Sequence, residues 1–129
     1  MSSGTEDAVL HAHASIRECL EGMPGADAEG LRAAVDRLAD ILPAHFAYEE
    51  REHGFVARIA RQSGAAHAAG LRADHRSLLA ALEGLRGLHQ RAFENPGERQ
   101  RALAFAQALA DHEQRENQLA LSWVDGGDV

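Results

Sequence analysis

The chain has 129 residues, enough for one domain with a sizeable core, and a formal net charge of −7 at pH 7. That charge argues against a nucleic-acid groove or an anionic membrane surface as partner, because both need a positive face. Hydrophobic residues make up 45% of the chain but aromatic ones only 5%; Ala and Leu dominate, and this bias toward strong helix formers predicts an all-α fold.

The first helix opens at Ser3-Gly-Thr-Glu6, which has the spacing of a capping box, and closes at Met23-Pro-Gly. The second begins around Asp27 or Ala28 and runs to Ser63-Gly64, where Gly suits the position just past a helix end; Gly54 is a bend point in this long element. The third runs from about Ala65 or Ala66 to Ala92. After the turn Phe93-Glu-Asn-Pro-Gly-Glu98, with Asn95 as N-cap and Pro96 as first helical residue, the fourth continues to about Val124 and leaves a loose tail, Asp125–Val129. Connections this short force antiparallel neighbours, so the predicted architecture is an up-down-up-down antiparallel four-helix bundle. The whole of 1–129 reads as one domain, with its core at about 6–124. No apolar run approaches the roughly 18 residues of a membrane span, and the acidic start Thr5-Glu6-Asp7 is no signal peptide. A single cysteine, Cys19, excludes an intramolecular disulfide and fits a reducing compartment, so the expected location is cytoplasmic.

Each helix carries one apolar stripe, and in each the stripe is broken by a polar residue. The stripes are Val9, His13, Ile16, Leu20, Met23; then Leu31, Val35, Leu38, Leu42, His45, Glu49, Glu52, Val56, Ile59; then Leu71, His75, Leu78, Leu82, Leu85, His89; then Phe105, Leu109, His112, Glu116, Leu119, Trp123. His45/Glu49 and His112/Glu116 are i, i+4 pairs, about 6 Å apart along one helix face. One such pair is common on a solvated surface. Two pairs, each preceded by a lone seam histidine on the helix before it, aim four imidazoles and two carboxylates at one interior point. A buried carboxylate without a partner costs several kcal/mol or neutralises itself. A metal site, with room for two ions, accounts for all six residues at once. The remaining histidines are surface or rim residues: His11 lies about 200° round the helix from His13 and points outward with Ser15 and Glu18. His67 starts the third helix, His89 is far along the axis from His75, and His53 is at the rim. Glu50 and Glu113, turned about 100° from their neighbouring ligands, read as solvent-facing. The ferritin-like arrangement of Glu-x-x-His on two helices is matched once, by Glu50-Arg-Glu-His53, and fails on the third and fourth helices.

The pattern H…HxxxE…H…HxxxE resembles the hemerythrin-like, or HHE cation-binding, family. His45-Phe with Glu49-Glu50, Asp74-His75 with Leu78-Leu79, His112-Glu113 with Glu116-Asn117 and Leu119, and His13-Ala-Ser-Ile16-Arg17 are each similar to that family's local motifs. The last favours His13 over His11, and the resemblance spans roughly residues 9 to 126. It implies a four-helix bundle with a non-haem di-iron centre that binds or reacts with oxygen, nitric oxide or peroxide. Oxygen carriers of the family place a second His four residues before the third-helix His, and an Asp five residues after the fourth-helix His. Here Leu71 stands in the first place and Glu116 lies four after His112, so the set of four His and two Glu is closer to the family's sensor and iron–sulfur-repair members.

Imidazole and carboxylate donors suit iron, with manganese or zinc also accommodated. Glu49 and Glu116 would bridge two ions about 3.5–4 Å apart, with an oxo or hydroxo bridge completing the core. His13, His45, His75 and His112 would give each ion two terminal nitrogens, leaving about one open position per ion for a small gas or peroxide. Leu42, Leu71, Leu78, Leu109 and Ile16 would keep water scarce there. Three functions stand in order: a di-iron redox protein, and hence a candidate oxidoreductase; a non-enzymatic iron or oxygen sensor or store acting through a partner; and, last, a metal-free structural bundle. Neither an electron donor nor a protein partner has a signature in the sequence.

Overall fold

A computed structural model describes the backbone of residues 2–127 and the side chains of residues 12–122. Five α-helices and one 3-10 turn make up the described residues, with no strand among them: α1 (Ser2–Gly22), α2 (Ala28–Glu50), α3 (Phe55–Ser63), α4 (Ala65–Arg86), the 3-10 turn Gln90–Glu94, and α5 (Pro96–Gly127). The side chains of the expected capping box, of Val9 and His11, and of Trp123 lie outside the described residues.

Local chemistry sets most of the boundaries. Asp27 caps α2 by accepting from the Gly30 N–H at 2.8 Å, and Asn95 caps α5 by accepting from the Gly97 N–H at 2.8 Å. Pro96 follows as the first residue of α5, where its missing N–H leaves no intrahelical bond unmade. Gly64 ends α3 with φ 108°, its N–H donating to Ile59 O at 3.1 Å, so that α4 starts at the next residue.

Two expected helices are interrupted. The long second helix divides after Glu50, because Gly54 sits where a Cβ would come within 2.8 Å of Glu49 O and 2.9 Å of Arg51 O, and His53 takes a positive φ of 65°. Glu52, placed on the buried stripe by periodicity, is therefore turned into solvent. The third helix ends at Arg86 rather than Ala92: Gly87 donates back to Glu83 O, and the chain tightens into the 3-10 turn, which seats Phe93 in the core. Arg32 of α2 holds this corner, donating to Leu88 O at 2.6 Å and to Arg86 O at 3.2 Å with its guanidinium 5.9 Å from the Phe93 ring centroid. His89 leaves the stripe and instead accepts from the Arg91 N–H. At the other end, α5 continues to Gly127, past the expected Val124.

α2 packs against α1, α4 and α5, and α5 also packs against α1 and α4, as in a helical bundle. The core falls into two apolar clusters. The larger contains Ile16, Leu38, Leu42, Phe46, Leu78, Leu82, Phe93 and Leu109; the smaller contains Val56, Ile59, Ala68 and Leu71. On α4 the stripe runs from Leu71 in the smaller cluster, through His75, to Leu78 in the larger one. On α5 it runs from Leu109 in the larger, through His112 and Glu116, to Leu119 against the smaller. A buried polar layer thus separates the two clusters. No helix among the described residues is long and apolar enough to cross a membrane.

Candidate metal centre

Among the described residues the buried polar or charged side chains are His45, Glu49, His75, His112 and Glu116, and all five belong to this layer. His13 of α1 joins them at its edge with its side chain 21% exposed. The six residues expected from the sequence are therefore brought together, by four different helices.

The imidazoles form two pairs, His13 with His45 (ring centroids 4.8 Å apart) and His75 with His112 (4.9 Å). Their Nε2 atoms converge on the carboxylates. His13 and His45 Nε2 lie 3.8 and 3.4 Å from Glu49 Oε2, while His75 Nε2 lies 3.3 Å from the other oxygen, Oε1. His75 and His112 Nε2 lie 3.6 and 3.2 Å from Glu116 Oε2. Phe46, itself buried, stacks on His75 with centroids 4.0 Å apart and planes within 9°, which fixes that ring's plane.

None of these close approaches is a hydrogen bond. Nε2 of His13, His45, His75 and His112, Oε1 of Glu49 and Glu113, and both oxygens of Glu116 are buried without a hydrogen-bond partner. Buried polar groups are almost always partnered, so this many orphans at one point is a fault unless a cation completes them. Donor atoms each about 2.1 Å from a common ion lie about 3.0–3.4 Å apart, near the N···O separations of 3.2–3.8 Å here. Two groups each bring one donor atom per residue within 4.8 Å of one another: Glu49, His75, His112 and Glu116, all buried, and His13, His45, Glu113 and Glu116. The residues present fit a bound cation.

Two histidines are held from behind. Glu50 Oε2 lies 2.6 Å from His75 Nδ1, and Asp74 Oδ2 lies 3.1 Å from His112 Nδ1 while also accepting from Arg115 at 2.6 Å. A carboxylate on Nδ1 fixes the tautomer that leaves the Nε2 lone pair facing inward and makes the ring a stronger donor. Glu50 is exposed, as expected, but also touches the centre, whereas the expectation that Glu113 faces solvent is corrected, its side chain being 15% exposed. Glu50 reaches back across the gap to α4, and Glu113 turns toward α1, its Oε2 3.5 Å from His13 Nε2. Asp74 serves not its neighbour His75 but His112 across the interface, a pairing no local spacing could announce. His53 is exposed beside Glu52, and His67 and His89 are exposed away from the cluster.

The electrostatics of the metal-free layer follow from crowding. Burial works against the protonated His75, but the surrounding carboxylates of Glu116, Glu49 and Glu50 outweigh it and push its pKa up to about 10. Burial pushes Glu49 up, yet His13, His75 and His45 around it hold it well below the usual carboxylate range. Burial, then the charge of Glu116, raises Glu113 to about 7. His13 is raised chiefly by Glu49, His112 is raised by Glu116 and Asp74 against burial, and His45 is lowered by burial. The layer holds protons where a cation would replace them.

No curated protein and no solved structure matches the chain. The family model described as the hemerythrin HHE cation binding domain matches residues 6–124. With that match over nearly its full length, the chain belongs to the hemerythrin HHE cation-binding family.

Proposed function

We propose that this chain is a single domain, with its long helices running up-down-up-down, that holds two iron ions in a His4Glu2 centre and binds or reacts with O2, NO or peroxide. The observation that carries the reading is the convergence of buried, unpartnered Nε2 atoms on carboxylate oxygens. Each imidazole pair would hold one ion through its two Nε2 atoms. Glu49 presents different oxygens to the two pairs, and Glu116 belongs to both donor groups, which supports a bridging role for both carboxylates. A pair of redox-active ions with exchangeable positions supplies electrons and a binding place for a small oxidant.

The protein's own part is to orient and to seal. Glu50 and Asp74 set the imidazole tautomers. Ile16, Leu42, Leu78 and Leu109 on one side, with Leu71 on the other, line the layer with buried apolar surface. Leu71 lies one helical turn before His75 and packs with Val56, Ile59 and Ala68, so that wall offers no further donor. The acidic chain is expected to act without nucleic acid, and buried Cys19 fits a cytoplasmic setting.

Metal content and the visible spectrum of the purified protein test the reading. Two irons per chain with near-ultraviolet charge-transfer absorption support it. A stoichiometry below one, or a protein purified and reloaded only with a redox-inert ion, overturns it.

A further inference from the structure

We propose that Glu113 is a seventh protein donor of the centre, serving the ion held by His13 and His45, so that the two ion positions are chemically unequal. The inference rests on the two-ion reading above. In the His4Glu2 description each imidazole pair has the same two shared carboxylates, so the two ions would have the same set of donors. The geometry around α1 breaks that equality.

Glu113 follows His112 on α5 and is turned about 100° from it, toward α1. Its carboxylate is 15% exposed, with Oε2 3.5 Å from His13 Nε2. Its Oε1 is buried and has no hydrogen-bond partner. A carboxylate serving only as a counter-charge to protonated His13 would not need to bury its second oxygen unpartnered. Its donor oxygen lies within the same 4.8 Å span as those of His13, His45 and Glu116. The equivalent place beside the His75/His112 pair is taken differently. There Glu50 and Asp74 bind the outer nitrogens of the rings and stand behind the ligands rather than among them.

The two positions also differ in access. All four residues of the Glu49, His75, His112, Glu116 group are buried. Both groups border a cleft: one of about 250 Å3 beside His112, which is only 2% exposed and stands there behind Asp74 and Arg115, and one of about 320 Å3 between α1 and α5, lined by His13, Ile16, Arg17, Leu20, Glu113 and Asn117, where His13 is 21% exposed. Glu113 therefore stands between the second cleft and the His13/His45 position. As an anionic donor at the mouth it tightens that ion, and by moving off it exposes the place that a ligand arriving through the cleft would take. The more buried position would hold its ion longer, and the ion under Glu113 would exchange first.

Anaerobic titration of the metal-free protein with Fe(II), followed by calorimetry and by timed extraction with a chelator, tests this directly. The wild type is expected to show two binding steps and two extraction phases. Glu113→Gln removes the charge at nearly constant shape; it should keep one step unchanged, weaken the other on the order of 10- to 100-fold, and accelerate only the fast extraction phase. His13→Ala should weaken the same step, and His112→Ala the other. Glu113→Ala repeats the test should Gln disturb the helix, with far-ultraviolet circular dichroism as the control. Two unchanged steps in both Glu113 variants overturn the proposal while leaving the two-ion reading intact, as does loss of the same ion that His112→Ala loses. A wild type without two binding steps overturns the two-ion reading itself.

Discussion

Glu50 grips one edge of the His75 imidazole, its Oε2 2.6 Å from Nδ1, while Glu49, the residue before it, faces Nε2 of the same ring at 3.3 Å. These successive residues, the last two of α2, reach opposite nitrogens of one ring, and the chain leaves the helix at Arg51. The break that interrupts the second helix thus lies directly beside the centre, and Gly54, which has no room for a Cβ, maintains it.

This arrangement gives Glu50 and Asp74 a measurable role. Glu50→Gln and Asp74→Asn are expected to lower metal affinity by about 10–100-fold with little loss of helix content, since each frees an Nδ1 and lets the ring adopt the wrong tautomer. Arg115→Ala should have a smaller effect, because Asp74 keeps its contact with His112. Competition against a chelator of known affinity reads all three. Unchanged affinity in both carboxylate variants would remove the positioning role.

Metal loading should couple strongly to folding. In the metal-free state the unpartnered nitrogens and oxygens of the layer are buried between two apolar clusters, a desolvation cost that ion binding relieves. Binding to the folded state alone contributes about 4 kcal/mol per ion at a free concentration a thousand times Kd. For a domain of this size that raises Tm by at least about 10 °C. Paired thermal melts with and without iron decide it, and an unchanged Tm contradicts a buried centre.

The pH dependence of the metal-free protein carries a definite sign. His75, pushed up to about 10, contributes stability that is complete below its ordinary 6.5 and is lost as pH rises through 10. Glu113, raised to about 7, costs stability once pH exceeds its ordinary 4.5, and the cost is complete above 7. Both therefore destabilise the metal-free protein as pH rises through this window, while fewer protons remain for an ion to displace. Glu49 acts oppositely at the acid end: its depressed pKa gives stability above the usual carboxylate range that is lost as pH falls further. Iron uptake near neutral pH should release protons, detectable with an indicator dye in weak buffer, and affinity should climb with pH. Uptake without proton release would mean that His75 is not protonated in the metal-free state.

Substitutions sort ligands from bystanders. Glu49→Ala and Glu116→Ala are expected to abolish the paired site, because each carboxylate faces both imidazole pairs. His13→Ala should weaken one ion and spare the other. His67→Ala and His89→Ala, both exposed, should leave iron content unchanged, and so should His11→Ala if the first helix presents His13 inward. Iron loss with His11→Ala and retention with His13→Ala would reverse the assignment on that helix.

The parts of this centre that a sequence can carry are those that share a helix. His45 with Glu49 and His112 with Glu116 are i, i+4 pairs, and each replaces an apolar residue in an otherwise regular stripe. Lone His13 and His75 were legible for the same reason, as breaks in a stripe. What was not legible depends on contacts between helices or on backbone geometry. Asp74 reaches His112 across an interface, and Glu113 meets His13 because of how α5 rotates against α1. Periodicity carried the second helix past Glu50, since Glu52, Val56 and Ile59 keep the step, and only the crowding at Gly54 shows why the helix stops. The 3-10 turn was hidden likewise: Leu85 and His89 are helically spaced, but burying Phe93 under Arg32 won.

Leu71 supplies the test of reactivity. It occupies the place, four residues before His75, where a further imidazole would saturate one ion and confine small-molecule binding to the other, as reversible oxygen storage requires. Its side chain is instead buried against Val56, Ile59 and Ala68. With no donor from that wall, the proposed His75/His112 ion would keep an exchangeable position and the His13/His45 ion would gain one when Glu113 moves off, so two-electron chemistry with peroxide or NO would be open to the centre. The reduced protein is therefore expected to oxidise rapidly in air and to react with peroxide. Leu71→His should slow that oxidation when the new imidazole binds. Where it does not bind, a polar ring left in the smaller cluster should cost about 2–4 kcal/mol of stability, so a thermal melt shows which case applies. Stopped-flow spectra of the reduced protein mixed with oxygen settle the matter. A new visible spectrum that persists for many minutes in the wild type would overturn the reactive reading and favour oxygen storage.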